Sequence, residues 1–340
     1  MTFHLSPLIT WTEKGLFCEA GGFYIDPHRA VDTALITHAH SDHARRGSKQ
    51  YICVTSGLSL LKARLGHKIV ASSYAYGEVF HFGEVAVSFH SAGHILGSAQ
   101  VRVQRGEEVW VASGDYKRDH DPSCEPFESI KCDTFITEAT FGTPRFIWEK
   151  NLEHGRMIHE WIMSDRTRNC ILFGYSLGKA QRILAELAPF MERPVLIHET
   201  IFELTECYRR EGRTMASTEL LSKKITSGEV IEGELILAPP SILTEGWIER
   251  IGRYETAFAS GWMQGKGWGR AKYDKGFVMS DHADWNDINR TIEETGARRV
   301  FVQHRDGALV RHLRNKGIEA HSIDELRPRQ YAPGENLILI

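Results

Sequence analysis

Long hydrophobic runs are missing from this 340-residue sequence. No stretch of about 18 consecutive apolar residues occurs, so no membrane-spanning helix is expected. The segment from Met1 to Leu16 lacks the basic-then-apolar order of an export signal. An unexported protein with no membrane partner is therefore expected, which in a bacterium means a cytoplasmic one. A surplus of one charge sign is also missing: the net charge is −3. That excludes a broadly basic coat and leaves only local patches for any nucleic acid. The six cysteines, Cys18, Cys53, Cys124, Cys132, Cys170 and Cys207, form no C-x-x-C pair, so free buried thiols are expected. Internal repeats and low-complexity linkers are absent. With 42% hydrophobic and 25% charged residues, the chain reads as an ordinary globular protein of one large or two smaller domains.

Histidine is what the sequence has in excess. There are 17 of them, and their placement carries the functional reading.

Short apolar runs broken by Gly and Ser fill residues 31–140, among them Thr33–Thr37, Val85–Phe89, Ala99–Val103, Val109–Ala112 and Phe135–Thr137. Several alternate, as half-buried strands do. From about residue 150 the texture becomes an α/β alternation. A helix over Leu152–Met163 leads to a strand at Cys170–Phe173. A second helix opens at Gly178, aligns Ile183, Leu184 and Leu187, and stops at Pro189. Strands at Val195–Ile197 and Leu235–Leu237 flank a helix near Phe202–Arg210. A strand at Phe277–Met279, a helix carrying Ile288 and Ile292, and a strand at Val300–Val302 complete the pattern. The expected organisation is a first unit over 1–145, an inserted α/β unit over 146–262 and a return to the first unit over 263–340.

The sharpest motif is His38-Ala-His40-Ser-Asp42-His43, directly after the strand ending at Thr37. It gathers three imidazoles and a carboxylate on one loop at a sheet edge, where no packing need explains them. Such donors suit zinc, iron and related ions, and the spacing permits two. Two weaker signals stand at later strand ends: His94 in Gly93-His-Ile-Leu-Gly97 and Asp115 in Ser113-Gly-Asp-Tyr116.

In order, Asp26 in Tyr24-Ile-Asp-Pro27, the H-x-H-x-D-H loop, His94 and Asp115 resemble the motifs of the metallo-β-lactamase-fold hydrolases. The long insertion resembles the β-CASP cap of their nucleic-acid-processing members. Glu138 in Ile136-Thr-Glu-Ala-Thr140, His282 in Met279-Ser-Asp-His-Ala-Asp284 and His304 in Val302-Gln-His304 match the cap family's further motifs. The resemblance implies an αββα sandwich with an inserted α/β cap and two divalent ions, zinc or manganese. It implies that His38, His40 and His94 hold the first ion, that Asp42, His43 and His304 hold the second, and that Asp115 bridges them. Asp26 would orient a ligand imidazole, and His282, paired with Glu138, would contact the scissile phosphate or protonate the leaving oxygen. The chain length and the Phe173-Gly-Tyr-Ser-Leu-Gly-Lys179 segment are most similar to bacterial ligase-associated DNA exonucleases. A DNA exonuclease of repair, directed to 5′ ends and linked to a ligase and a helicase, is the implied activity.

His304 pulls the other way, since it resembles RNA-processing members such as RNase J, whereas eukaryotic DNA members carry valine there. A small-molecule hydrolase fits the long insertion poorly, and an inactive scaffold would have lost a ligand. For substrate contacts, the segment Trp262-Met-Gln-Gly-Lys266-Gly-Trp268-Gly-Arg270-Ala-Lys-Tyr273 interleaves aromatics and cations with no acidic residue. That mixture holds single strands by stacking and phosphate tracking. Ser176, Gly178 and Lys179, at the opening of a helix, are candidates for a terminal-phosphate pocket. Arg45 and Arg46 flank the metal loop.

Overall fold

In the computed structural model, residues 7–244, 246–265, 272–303 and 307–327 are described. Two sheets lie face to face. The first runs, in spatial order, through Thr10–Thr12, Gly15–Cys18, Phe23–Ile25, Thr33–Leu35, Gln50–Val54 and Ala71–Tyr74. The second runs through Glu319–Ser322, Arg299–Val302, Thr134–Thr137, Glu108–Ala112, Ala99–Arg105, Val85–Ser91 and Val79–Phe82. Strand alternation decides what each face does. Phe23, Ile25, Leu35, Ile52 and Val54 of the first sheet meet Val87, Phe89, Val101, Val103 and Trp110 of the second in one buried core. The opposite parity of the first sheet, Ala34, Tyr51 and Cys53, packs under the helix Leu58–Leu65 through Leu61 and Leu65. The opposite parity of the second sheet, Val111, Phe135, Val300 and Val302, is covered by helices Trp285–Thr295 and Gly307–Asn315 through Ile288, Ile292, Leu309 and Leu313. The result is the expected four-layer αββα sandwich.

The third sheet is all parallel, in the order Thr218–Leu220, Val195–Ile197, Leu235–Ala238, Asn169–Phe173, Tyr254–Ala259 and Lys275–Phe277. Its core strands are apolar on both faces, as a parallel sheet buried on both sides requires. Cys170, Leu172, Val195, Ile197, Leu235 and Leu237 pack on helices His154–Met163 and Lys179–Leu187, while Ile171, Phe173, Leu196, Ile236 and Ala238 face the other side. The strand Lys275–Phe277 pairs with Tyr254–Ala259, so this sheet extends past the boundary expected at residue 262. The strand expected at Phe277–Met279 is thus Lys275–Phe277, two residues earlier. Among the described residues, no helix is long and apolar enough to cross a membrane.

Two glycines let the backbone close up where the histidine loop sits. Gly97 has φ +68°, and a Cβ there would lie 2.2 Å from the Gly57 Cα. Gly114 has φ +56°, and its Cβ would lie 2.7 Å from the Thr37 Cβ. Neither close approach tolerates a side chain. The first draws the His94 loop against the chain after Gln50–Val54, and the second brings Asp115 over Thr37 and His38.

Candidate metal centre

The site stands where strands end. Asp26 follows Phe23–Ile25, His38 follows Thr33–Leu35, His94 follows Val85–Ser91, Asp115 follows Glu108–Ala112 and Glu138 follows Thr134–Thr137. All five residues converge on one edge of the sandwich.

His40 Nδ1 lies 3.0 Å from His38 Nε2 and 3.1 Å from His94 Nε2. The far nitrogen of each ring decides what these near nitrogens are. His94 Nδ1 is 2.6 Å from the Asp281 carbonyl oxygen and His40 Nε2 is 3.1 Å from the Leu177 carbonyl oxygen. A carbonyl only accepts, so each of those nitrogens carries the proton and donates. His38 Nδ1 donates to Thr37 Oγ1 at 3.1 Å, because that hydroxyl gives its own proton to Asp26 Oδ2. Three lone pairs therefore face one another at hydrogen-bond distance with no proton between them. The Asp115 carboxylate oxygen Oδ2 adds a fourth donor, 3.6 Å from His38 Nε2 and 3.8 Å from His94 Nε2. The four donor atoms lie within 4.8 Å of one another. Burial holds His38, His40 and His94 below the ordinary imidazole pKa, which keeps the rings neutral and ready to ligate. This donor set fits a divalent cation.

A second group shares Asp115. His43 Nε2 lies 3.5 Å from Asp115 Oδ2 and 3.7 Å from the exposed Asp42 Oδ2. On its other side His43 Nδ1 donates to Asp26 Oδ2 at 2.7 Å. Burial opposes charge on His43, but the Asp115 and Asp26 carboxylates outweigh it and raise its pKa well above the ordinary value. A cation bound here would displace that proton. His304, expected to complete this group, lies outside the described residues.

Asp26 sits at φ +44°, in the left-handed region that few non-glycine residues adopt. This turn aims its carboxylate back at the histidine loop, where Oδ1 accepts the Thr37 N–H at 2.8 Å. One carboxylate thus fixes the His43 ring directly and the His38 ring through Thr37. Asp26→Ala is expected to weaken divalent binding by about 10- to 100-fold, the usual effect of losing such a partner. Calorimetric titration of the metal-free protein checks this.

Glu138 is fully buried. Its Oε1 accepts the Tyr116 N–H at 2.8 Å and its Oε2 accepts the Thr140 hydroxyl at 2.6 Å. Both oxygens lie 3.0 Å from His282 Nδ1. Burial opposes protonation of His282, yet the Glu138 carboxylate overrides it and raises the imidazole pKa to about 9. Asp115, Glu138 and His282 also lie within 4.8 Å of one another. There the proton on His282 Nδ1 already joins two of them, unlike the facing lone pairs of the first group.

A cleft of about 830 Å³ opens over these groups, between the sandwich and the third sheet's unit. His40, Asp42, Arg64, Phe141, Tyr175, Ser176, Thr200, Trp262 and His282 line it. Trp262 is 45% exposed and packs on Phe141 at 4.7 Å between centroids. Phe141 stands 6.0 Å from the His282 ring. Two of the expected phosphate contacts are already engaged within the protein, although Lys179 still borders the cleft. Lys179 is 2% exposed, and its ammonium donates to Asp281 Oδ1 at 2.7 Å and to the Met279 carbonyl. Gly178 is buried and its N–H donates to Gln181 Oε1. Lys179 was drawn inward by Asp281, a pairing across 102 positions that sequence proximity hides. Ser176 remains at the cleft, its hydroxyl 3.0 Å from that of Thr200. Lys266, Trp268 and Arg270 lie outside the described residues. Arg64, Phe141 and Thr200 carry no signal in the sequence because none belongs to a spaced motif, and Tyr175 stands in the quoted Phe173–Lys179 segment without an assigned role.

No family model matches the chain. It is 30% identical over 319 residues to a probable DNA ligase of Opitutus terrae, a match spanning 92% of this chain and 30% of that protein. It is 32% identical over 200 residues to the endoribonuclease YSH1 of Yarrowia lipolytica, spanning 48% of this chain and 24% of that protein. It is 29% identical over 150 residues to ribonuclease TTHA0252 of Thermus thermophilus, spanning 35% of this chain and 34% of that protein. The chain thus covers about a quarter to a third of these relatives' own length. A crystal structure of a protein of unknown function from Enterococcus faecalis superposes with a TM-score of 0.53 at 13% identity, covering 79% of this chain and 74% of that one, which supports the fold. The four-layer sandwich with a histidine and aspartate cluster at its strand ends is the metallo-β-lactamase architecture. With its relatives and its inserted α/β unit, the chain is similar to the β-CASP members of the metallo-β-lactamase-fold nucleases.

Proposed function

We propose that this chain is a metal-dependent phosphodiesterase that degrades DNA from an end, probed first as a 5′-directed exonuclease of repair. The observation that carries the reading is the convergence of the lone pairs of His38 Nε2, His40 Nδ1 and His94 Nε2 beside Asp115, on the floor of an open cleft. His38, His40, His94 and Asp115 would hold one ion; Asp42, His43 and the shared Asp115, with His304, would hold a second. Ions bound there supply an activated water and neutralise charge on the phosphate. Zinc and manganese both suit these donors. The third sheet and its helices act as the cap that closes the cleft from above.

The chain's own groups supply the rest. His282 donates its Nδ1 proton to Glu138, which directs Nε2–H towards the cleft. As the bond from phosphorus to the leaving oxygen breaks, that Nε2 proton passes to the oxygen. Trp262 and Phe141 offer a stacking face for a base beside the phosphate. Trp262→Ala is expected to weaken single-strand binding by about 1–3 kcal/mol while leaving metal affinity unchanged. Fluorescence anisotropy with a labelled oligonucleotide measures it.

The DNA reading draws on the probable DNA ligase, whose match takes in nearly the whole chain, and it makes a ligase the first partner to test. An RNA reading has its own support, because two of the relatives are named as ribonucleases. Six free cysteines, five of them buried, suit a reducing cytoplasm. Digestion of end-labelled single- and double-stranded DNA and RNA, with manganese or zinc, tests the proposal. Stepwise shortening of DNA from a 5′ end supports it. Cleavage of RNA alone replaces it with the RNA reading, and indifference to all four substrates overturns both.

A further inference from the structure

At the wall of the cleft, where Lys179 and Asp281 border it, lies a buried ionic network that the proposed chemistry does not use. Lys117, Lys179 and Arg182 supply three positive charges; Asp121, Asp281 and Glu186 supply three negative ones. All but Glu186 are less than 9% exposed, and the Glu186 side chain is 13% exposed. Lys117 pairs with Asp121 and lies 3.9 Å from Asp281 Oδ1. Arg182 Nε binds Glu186 Oε1 at 3.0 Å and lies 3.7 Å from Asp121 Oδ2. Charges this deeply buried are costly to desolvate, and an apolar contact would hold two units together as well. What sets this network apart is the segment it grips.

It grips three consecutive residues. Lys179 Nζ binds the Met279 carbonyl and Asp281 Oδ1, and Arg182 Nη1 binds the Ser280 carbonyl at 2.6 Å and lies 3.4 Å from Asp281 Oδ1. Both cations stand on the helix Lys179–Leu187 of the cap. The gripped segment then reaches the metal centre twice. The Asp281 carbonyl accepts the His94 Nδ1 proton at 2.6 Å, which sets the direction of the His94 Nε2 lone pair. The next residue is His282, whose N–H is held by Ser280 Oγ at 3.0 Å and whose ring meets Glu138.

We propose that Lys179 and Arg182 are positioning residues through which the cap helix sets the 279–282 backbone, and with it the orientation of His94 for the metal and of His282 for the reacting phosphate. The proposal rests on the metal-centre reading above. It makes the first metal site a joint product of sandwich and cap: displacing the helix Lys179–Leu187 releases the carbonyl that aims His94. A separate cross-contact serves as the comparison. Arg213 of the cap pairs with Glu125 of the sandwich, and neither touches the 279–282 segment.

The test uses the full chain freed of metal. Manganese alone is titrated by calorimetry into the wild type, Lys179→Met and Arg213→Ala, with circular dichroism and thermal melting to establish that each is folded. Lys179→Met is expected to bind manganese about 10- to 100-fold more weakly, the range for loss of an outer partner of a ligand. Arg213→Ala is expected to bind as the wild type does. With bis(p-nitrophenyl) phosphate, too small to need the cap, Lys179→Met should lose kcat and keep KM. Unchanged manganese affinity in folded Lys179→Met overturns the proposal, and so does an equal fall in both variants, which would mark general cap docking. Should Lys179→Met fail to fold, Asp281→Asn, which keeps the main-chain carbonyl, decides by the same comparison; if neither folds, the network is a folding element and the proposal is overturned. Because the readout is manganese binding, failure of the nuclease reading leaves this outcome separately legible.

Discussion

Asp115→Asn is expected to abolish divalent-dependent phosphodiester cleavage and to cut metal affinity by more than about 100-fold, beyond what an outer-shell loss causes. The reason is position. Asp115 Oδ2 lies within 4 Å of nitrogens on His38, His43, His94 and His282, so one carboxylate serves both halves of the centre. Burial alone would raise its pKa, yet His43 beside it holds the carboxyl well below the usual range, and it stays ionised at any working pH. Asparagine keeps the shape and removes the charge. The fold should persist, because the sandwich core lies on the other side of the strand ends. Calorimetric titration and hydrolysis of a chromogenic phosphodiester measure the two effects, and circular dichroism reports the fold.

Glu138→Gln should leave metal affinity near wild type and lower kcat by about 10²- to 10⁴-fold, the range for a lost general acid. The pH profile carries the more specific signature. With Glu138 in place the His282 imidazole pKa is raised to about 9, so its proton is held below that pH and lost as pH rises through it. The same pair stabilises the fold: that contribution is complete below the ordinary imidazole pKa and disappears as pH rises through about 9. Glutamine removes the charge, and the alkaline limb of activity should fall towards the ordinary imidazole pKa of about 6.5. A loss of one bound metal ion in Glu138→Gln would instead make Asp115, Glu138 and His282 a metal site of their own.

The sandwich was legible because its strands announce themselves by parity. Val85–Ser91 and Ala99–Arg105 alternate apolar and polar residues, and each alternation reports one buried face. The third sheet was legible by the opposite sign, continuous apolar runs such as Cys170–Phe173 that are buried on both faces. The strand expected at Phe277–Met279 lies two residues earlier, at Lys275–Phe277, since one phenylalanine in three residues is no pattern; its pairing depends on a neighbour that only the fold supplies. The candidate metal donors stand out in the sequence because six of them crowd into a loop or stand at strand ends, and short-range spacing survives folding. What decided the fate of Lys179 was long-range. A lysine opening a helix reads as a phosphate contact until Asp281 is brought beneath it. Asp281 itself was quoted beside His282 but carried no assigned role, although its carbonyl is what orients His94. Sequence spacing marks candidate ligand side chains; it does not mark which main-chain atoms aim them.

The most direct test is metal dependence in the wild-type chain. The protein is stripped with a chelator, then manganese is returned in steps while hydrolysis of an end-labelled single-stranded oligonucleotide is followed. The expected result is no cleavage by the stripped protein and recovery that tracks occupancy of the His38, His40, His94 and Asp115 site. Undiminished cleavage by protein verified to be free of metal would contradict the account at its centre.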